Sequence, residues 1–141
     1  MAQMEQDSNF KEYEKEFTVT ADLMDRNNHL NNVSLVKWIE EISIEHSDAV
    51  GGTKKMESLA CAWMIHTQHV EYKAQAFLGE KIKGITWVPE YSKISTNRYC
   101  KFVRLSDNKE IARSVTTWVL MDIKKERPTI IPEELKQLFR K

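Results

Sequence analysis

Hydrophobic and polar residues alternate near the start of the chain and then change to a helical period. In residues 14–20, Phe17 and Val19 are separated by polar residues, which predicts a half-buried strand with both side chains on the core face. In residues 33–50, apolar side chains recur every three or four positions, which predicts one long amphipathic helix that ends at Gly51-Gly52. The predicted apolar positions of this helix are Val33, Val36, Ile39 and Ile42, reinforced by Leu35, Trp38 and Ile44.

Strand patterns dominate the rest of the chain. Residues 59–65 are apolar at every position, which predicts a strand segment covered on both faces, whereas residues 66–72 alternate and should be half exposed. Gly79 interrupts the pattern. Strand character returns at residues 81–88 and continues to Pro89, which is typical of a strand end or a bulge because proline cannot donate to a ladder.

Two further strand patterns, at residues 95–105 and 111–123, flank a polar segment at 106–110 that predicts a hairpin loop. Residues 132–139 begin with proline and predict a short terminal helix. The order is strand, loop, long helix, about four long strands and a small helix. Because strands joined by short turns are antiparallel, we expect an α+β fold in which one curved antiparallel sheet buries the single long helix.

Length and charge narrow the possible partners. The 141 residues correspond to about one domain, and we expect a flexible tail at residues 1–12 followed by a single domain at 13–141. Lysine plus arginine and aspartate plus glutamate both number 21, so no overall basic field favours nucleic acid. The start lacks a secretory pattern and the longest apolar run, 59–65, is too short for a membrane span, so we expect a cytoplasmic protein without membrane contact.

Cysteine and histidine positions argue against a disulfide or a metal site. Cys61 and Cys100 lie inside strand patterns and lack C-x-x-C spacing, which favours reduced core thiols. His66 and His69 are three residues apart on a predicted strand. That spacing places the two rings on opposite faces and disfavours a shared metal ion.

The polar segment between the first strand and the long helix, residues 22–32, is the best candidate for a functional site. Its eleven residues include two aspartates, four asparagines and one histidine. So many side-chain acceptors exceed the need of an ordinary connection. Asn31 or Asn32 is well placed to cap the helix, since its amide oxygen can accept hydrogen bonds from the N–H groups of the first turn.

This segment resembles a known family. Asp25-x-Asn27-x-His29-x-Asn31-Asn32 before a helix resembles the Asp-x-Asn-x-His-x-Asn-Asn segment of plant-type acyl-acyl-carrier-protein thioesterases, and it is similar to the loop of the 4-hydroxybenzoyl-CoA thioesterase family. The family resemblance extends to Tyr72 followed by Gly79-Glu80. It also includes residues 127–132, which resemble the usual C-terminal segment of the family. The resemblance covers residues 17–139 and implies the hotdog fold. The chain differs from many members at Gln75, where proline is common, and at Leu35, where an aromatic residue is common.

The resemblance implies thioester hydrolysis, which needs a group that activates or replaces water and donors for the developing oxyanion. It marks Asp25 as the catalytic carboxylate, either a general base or a nucleophile that forms a mixed anhydride. It implies that Asn27 positions the acyl group or the water and that His29 serves as a base. Asn32 lies near the first helical turn, whose N–H groups can hold the thioester oxygen.

Simpler interpretations of the same residues remain open. Asp25 could be an exposed turn or capping residue, and His29 a loop histidine hydrogen-bonded to the backbone. The Asn32 side chain could serve only as the helix cap. Asp22 is better explained as a turn residue at the end of the strand.

From the resemblance we expect hydrolysis of acyl-CoA or acyl-ACP to a free acid and a thiol, without a metal or redox cofactor. It also implies a homodimer with the site between subunits, and often a tetramer, and the two-sided apolar strand at 59–65 supports a partner subunit. Alternatives are a non-catalytic acyl-CoA-binding hotdog module, a hotdog enoyl-thioester hydratase or dehydratase, and a structural dimer. Basic candidates for the phosphates of coenzyme A are Lys73, Lys93, Arg98, Lys101 and Arg104.

Overall fold

A curved antiparallel sheet packs against one long helix in the computed structural model, which describes residues 4–6 and 9–141. Over these residues the strands have the order β1-β4-β5-β6-β3, with β2 paired to β4 and β7 paired to β6. This is the predicted α+β architecture. In chain order the elements are β1 (Glu5–Gln6), β2 (Tyr13–Thr18), a 3-10 turn (Ala21–Leu23), α1 (Asn32–Ala49), α2 (Gly52–Ser58), β3 (Cys61–Tyr72), β4 (Lys81–Tyr91), β5 (Ser95–Arg104), β6 (Lys109–Asp122), β7 (Arg127–Pro128) and α3 (Glu133–Gln137).

Helix α1 begins and ends as the sequence predicts. The side-chain oxygen of Asn31 accepts hydrogen bonds from the N–H groups of Val33 at 2.7 Å and Ser34 at 3.2 Å. Gly51 has a φ of +84°, a left-handed conformation that glycine adopts without strain, and the chain leaves the helix there. Helix α2 and the 3-10 turn were not among the predicted elements.

The buried face of α1 differs from the predicted one. Val33 and Ile44 are 63% and 52% exposed, although the pattern places them on the core side. The sheet covers only one side of the helix, and the buried residues of α1 are Ser34, Leu35, Trp38, Ile39, Ile42, Ser43, His46 and Ser47. The prediction that Val33, Val36 and Ile44 face the core was therefore wrong for a single chain. Apolar residues extend around more of the helix circumference than one sheet can cover.

Strand β3 lies at one end of the sheet and pairs only with β6 among the described residues. Met64 and Ile65 are 51% and 46% exposed. The expectation that residues 59–65 are covered on both faces is thus wrong for one chain. An end strand with exposed apolar side chains and unpaired backbone groups can accept another strand along its free edge.

Part of the predicted flexible tail belongs to the sheet. Glu5 and Gln6 pair with Tyr91 and Glu90 of β4, so this part of the prediction is corrected. Phe10 forms a bridge with the penultimate residue of the chain, Arg140. Residues 1–3, 7 and 8 lie outside the described residues.

The bulge predicted near Pro89 is present. Pairing between β4 and β5 shifts register between Trp87 and Glu90, and Pro89 lies at this shift. Proline has no N–H to donate, so the irregular position suits it. The strand continues to Tyr91 beyond the bulge.

The buried side chains form two clusters along α1. The first core surrounds the N-terminal half of the helix, where the rings of Phe17 and Trp38 stack at 4.6 Å. Its largest members are Phe17, Leu35, Trp38, Ile39, Ile42, Ile82 and Phe102. The second core lies near the C-terminal half and consists of Val88, Tyr91, Leu120, Ile131, Leu135 and Phe139.

Candidate functional site

The Asp25 side chain organises the polar loop. Its Oδ1 accepts hydrogen bonds from the N–H groups of Asn27 at 2.9 Å and His29 at 3.2 Å. The Asp25 N–H also donates to the carbonyl of His29 at 2.9 Å, and Asn28 makes the turn with a φ of +60°. These contacts fix one carboxylate oxygen, while Oδ2 forms no hydrogen bond with the part of the chain that the structure describes.

Main-chain hydrogen bonds hold the same loop on two sides. The Asn31 N–H donates to the carbonyl of Leu23 at 2.9 Å. The Leu30 N–H donates to the carbonyl of Ala76 at 2.9 Å, which joins the loop to the connection between β3 and β4. The loop that carries the candidate side chains is therefore tied to the start of α1 and to the neighbouring connection, so its geometry is preorganised.

The first turn of α1 leaves one main-chain donor unused. Asn31 is the N-cap, so the amide oxygen of Asn31 occupies the N–H groups of Val33 and Ser34. The Leu35 N–H donates to the Asn31 carbonyl at 3.2 Å. The Asn32 N–H has no hydrogen-bond partner within residues 4–6 and 9–141. A helix N-terminus carries partial positive charge, so this N–H is a donor suited to an oxygen that gains negative charge.

A cavity of about 250 Å³ brings three of the four predicted site residues together. Asp25, His29 and Asn32 all line it. Asn27 is exposed and does not line the cavity; its main-chain N–H holds the Asp25 carboxylate instead. The remaining walls are Leu30, Leu35, Tyr72, Ala74, Gln75, Ala76, Ile111 and Ala112.

The His29 imidazole packs edge-on against Phe77 with ring centroids 5.4 Å apart. The main chain of His29 is hydrogen-bonded to Asp25, but its ring nitrogens form no hydrogen bond with any described residue. The loop-histidine interpretation thus applies to the backbone only. His29 lines the cavity, so its ring lies beside the candidate site.

Sequence reasoning did not predict the far wall of the cavity. Tyr72 and Gln75 come from the end of β3 and the following connection, and Ile111 comes from β6. Tyr72 and Gln75 lie in a segment of the sequence that resembles the thioesterase family. This resemblance was the signal from which their place at the site could have been predicted. The Gln75 carbonyl accepts a hydrogen bond from Arg104 Nη1 at 2.9 Å, which fixes this part of the wall.

The basic candidates for phosphate binding differ in environment. Arg104 forms ion pairs with Asp107 and Glu80, and the hydrogen bond with Asp107 raises the pKa of Arg104. Lys73 pairs with Glu110 at 3.0 Å. Arg98 is only 5% exposed, so among these candidates it does not offer a surface cation to the phosphates of coenzyme A. Its side chain points inward from β5 because the strand alternates and position 98 belongs to the core face.

Both cysteines are free thiols; Cys100 is buried in the core, whereas Cys61 is half-buried. Burial raises the pKa of Cys61 and of Cys100, which favours their protonated forms. Within residues 4–6 and 9–141, no three His, Cys, Asp or Glu side chains are grouped to hold a metal ion. None of the helices in the same residues has the length and hydropathy required to cross a bilayer.

Comparison with known proteins agrees with the resemblance. The family model described as the acyl-ACP thioesterase N-terminal domain matches residues 10–139, nearly the whole chain. The chain belongs to this family. Its curved antiparallel sheet with a central helix is the hotdog fold of thioesterases with known structures.

Individual relatives are distant. A chloroplastic acyl-[acyl-carrier-protein] hydrolase of Cuphea viscosissima is 24% identical over 111 residues, which are 74% of this chain and 27% of that protein. The chain thus spans about a quarter of this curated relative. The Staphylococcus aureus protein SAV2348, solved in complex with CoA, has a TM-score of 0.81 at 15% identity, covering 92% of this chain and 82% of that one. The 12:0-ACP thioesterase of Umbellularia californica also has a TM-score of 0.81, at 16% identity. The match covers 89% of this chain and 48% of that one.

Proposed function

We propose that this acyl-ACP thioesterase family protein hydrolyses acyl thioesters of coenzyme A or acyl-carrier protein to a carboxylic acid and a thiol. The observation that carries the proposal is that Asp25, His29 and Asn32 line one cavity, and that the Asn32 N–H has no partner among the described residues. Family membership supports the reaction type, and the CoA complex of a protein with the same fold supports CoA as one carrier.

In the proposed reaction the thioester carbonyl oxygen accepts a hydrogen bond from the Asn32 N–H. Negative charge grows on that oxygen during attack, and the partial positive charge of the helix N-terminus stabilises it. The donor is main-chain and already fixed by the cap, so it need not reorganise during the reaction. Collapse of the tetrahedral intermediate breaks the C–S bond and releases the thiolate.

Asp25 supplies the attacking group in one of two ways. As a general base, its free Oδ2 takes a proton from water, which attacks the carbonyl carbon, and that proton passes to the thiolate that leaves. As a nucleophile, Oδ2 attacks directly and water then hydrolyses the mixed anhydride. His29, with an unbonded ring at the same wall, supports the proton transfer. Label in the enzyme after a single turnover in ¹⁸O-water would identify the anhydride route, because attack of water on the Asp25 side of the anhydride leaves the label in the enzyme.

The test is thiol release from a series of aliphatic and aromatic acyl-CoA and acyl-ACP substrates. Asp25→Asn retains an oxygen that can accept from Asn27 and His29, so the loop geometry is preserved while the base is lost. We expect a rate loss of about 10²–10⁴-fold for this variant and a smaller loss for His29→Ala.

Asp22→Asn is the matched control, because Asp22 lies three residues away, is exposed and does not line the cavity. It should retain wild-type activity. Equal rates for wild type and Asp25→Asn on the best substrate would refute the assignment of roles. Binding of acyl-CoA without thiol release would instead identify a non-catalytic module, and hydration of an enoyl thioester would identify a hydratase.

Acyl preference is proposed to depend on the far wall of the cavity. Gln75 belongs to this wall and Leu35 lines the same cavity from α1, and they are the two positions where the sequence departs from many family members. The smaller Leu35 side chain leaves more room than an aromatic ring. We therefore expect Leu35→Phe to shift the substrate profile towards smaller acyl groups, measured as the ratio of kcat/KM values across the series.

The protein is further proposed to form a homodimer through β3, and two such dimers would make a tetramer. The free edge of β3 is long, and the exposed apolar side chains of Met64 and Ile65 lie along it. Val33 and Ile44 add exposed apolar area on α1. A second copy could satisfy both the backbone edge and these side chains.

Sedimentation analysis of wild type and Ile65→Lys tests the dimer. We expect wild type to sediment as a dimer or tetramer and Ile65→Lys to dissociate. Ile123→Lys is the control, because Ile123 is similarly exposed, at 56%, but follows the last residue of β6. A monomeric wild-type protein, or equal assembly of both lysine variants, would refute this interface.

A further inference from the structure

A second cavity, of about 410 Å³, lies between the C-terminal half of α1 and the second core. Ser43 and Ser47 line it from the helix, whereas Leu35 lines the first cavity. At a rise of about 1.5 Å per residue, Ser43 is about 12 Å further along the helix than Leu35. The side chains of Trp38, Ile39 and Ile42, each at most 5% exposed, fill the helix face between them. The second cavity is therefore separate from the candidate active site.

Its walls are mostly apolar, with one buried cation. Apolar and aromatic members include Met56, Trp63, Val88, Trp118, Leu135 and Phe139. Arg98 also lines the cavity and is 5% exposed. A cavity of this size with a largely apolar lining and a buried cation is typical of a site for a small amphipathic ligand.

The partners of Arg98 carry no negative charge. Its Nη1 donates to Thr86 Oγ1 at 3.0 Å and lies 2.9 Å from Nδ1 of His46. Burial and the neighbouring Arg98 lower the pKa of His46 to about 3, so the imidazole is neutral and Nδ1 accepts. Burial lowers the pKa of Arg98 to about 10, so the guanidinium stays protonated at neutral pH. No carboxylate within residues 4–6 and 9–141 pairs with it.

A buried charge without a counter-ion is unfavourable, and an anion that reached it would be bound strongly. Arg98 uses only Nη1 for the hydrogen bonds described, so Nε and Nη2 remain as donors. Two donors on a planar guanidinium match the two oxygens of a carboxylate. The aromatic and aliphatic walls suit a hydrocarbon chain attached to that carboxylate.

We propose that this cavity is a second ligand site that binds an aliphatic carboxylate, with the carboxylate on Arg98 and the chain against the second core. The binding itself does not depend on the proposed hydrolysis, although a free aliphatic acid is also the product class of that reaction. The exposed carboxylates of Glu40, Asp48 and Glu57 line the cavity as well and oppose entry of an anion. Affinity should therefore rise when salt screens them.

The test is a fluorescence titration, since Trp63 and Trp118 line the cavity and should report an occupant. The probes are decanoate, below its micelle concentration, and the neutral decanol, added to the protein as purified. We expect saturable binding of decanoate, about tenfold or more tighter than that of decanol. Arg98→Met should lose this preference for decanoate while its binding of decanol changes little.

Glu57→Gln is the control variant, because it changes a charged side chain that lines the same cavity. It should bind decanoate at least as tightly as wild type. If wild type does not bind decanoate, or if Arg98→Met binds it as tightly as wild type, the proposal is wrong; the latter result would show that Arg98 does not hold the carboxylate.

Should Arg98→Met fail to fold, NMR of the wild type decides the question. The Nε–H signal of Arg98 is expected to shift on saturation with decanoate and to stay in place with decanol. An Arg98 signal that does not move at saturating decanoate would overturn the proposal. Activity assays are not needed for either readout, so this inference and the proposed hydrolysis can fail independently.

Discussion

Replacing Asn32 with proline should remove the proposed oxyanion donor without removing the helix. Asn32 is the first residue of α1, a position at which proline is favoured because its φ suits the helix and its missing N–H has no helical partner. A residue before proline must be extended, and Asn31 already has φ −79° and ψ 148°. The N–H groups of Val33 and Ser34 donate to the side-chain oxygen of Asn31, and these capping hydrogen bonds would remain.

The expected effect is on catalysis and not on stability. Loss of one oxyanion-hole donor typically lowers kcat by about 10²–10³-fold, or about 2.7–4 kcal/mol of transition-state stabilisation. The measurements are kcat and KM for thiol release from the best acyl thioester, together with a thermal unfolding curve. We expect Asn32→Pro to keep a near wild-type Tm while kcat falls in this range.

Asn32→Ala provides the matched control, because it removes the side-chain amide and keeps the main-chain N–H. It should retain most of the wild-type kcat. The reasoning fails if Asn32→Pro is as active as wild type. It also fails if both variants lose activity equally, since the side chain and not the N–H would then be responsible.

Three further predictions concern stability. Asn31→Ala removes the acceptor for two N–H groups and should lower the free energy of unfolding by about 0.5–2 kcal/mol in urea titrations, whereas Asn31→Asp should not. The pKa of His46 is lowered from 6.5 to about 3, so only the unfolded state binds a proton at this residue as the pH falls between these values. The free energy of unfolding of the wild type should therefore fall with decreasing pH more steeply than that of His46→Leu, by about 1.4 kcal/mol per pH unit. Gly84→Ala places a Cβ 2.9 Å from Phe17 and should destabilise by about 1–3 kcal/mol, with partial rescue by Phe17→Leu in thermal melts.

Local chemistry made the long helix and its start predictable. The period of the apolar residues gave the length of α1, and the choice of Asn31 or Asn32 as cap was resolved in favour of Asn31. The clustering of polar residues at 22–32 predicted where a cavity would lie, and three of the four candidate residues line it. Their catalytic roles stay predictions, as do the cytoplasmic location and the oligomeric state.

Long-range packing accounts for what could not be predicted. Tyr72, Gln75 and Ile111 reach the cavity only because β3 and β6 pair in a particular register. The inward direction of Arg98 depends on which face of β5 meets the helix, and a single charged residue in a strand pattern does not reveal this. The exposure of Val33 is likewise decided by the sheet, which covers one side of the helix.

The division of the interior into two cores has a consequence for protein engineering. Leu35 at one end of α1 and Leu135 at the other share no cluster, and the layer around Trp38 and Ile42 separates them. Mutations confined to opposite ends should combine additively in their free-energy effects. The candidate active site could then be redesigned for new acyl groups while the opposite end is optimised independently for thermal robustness.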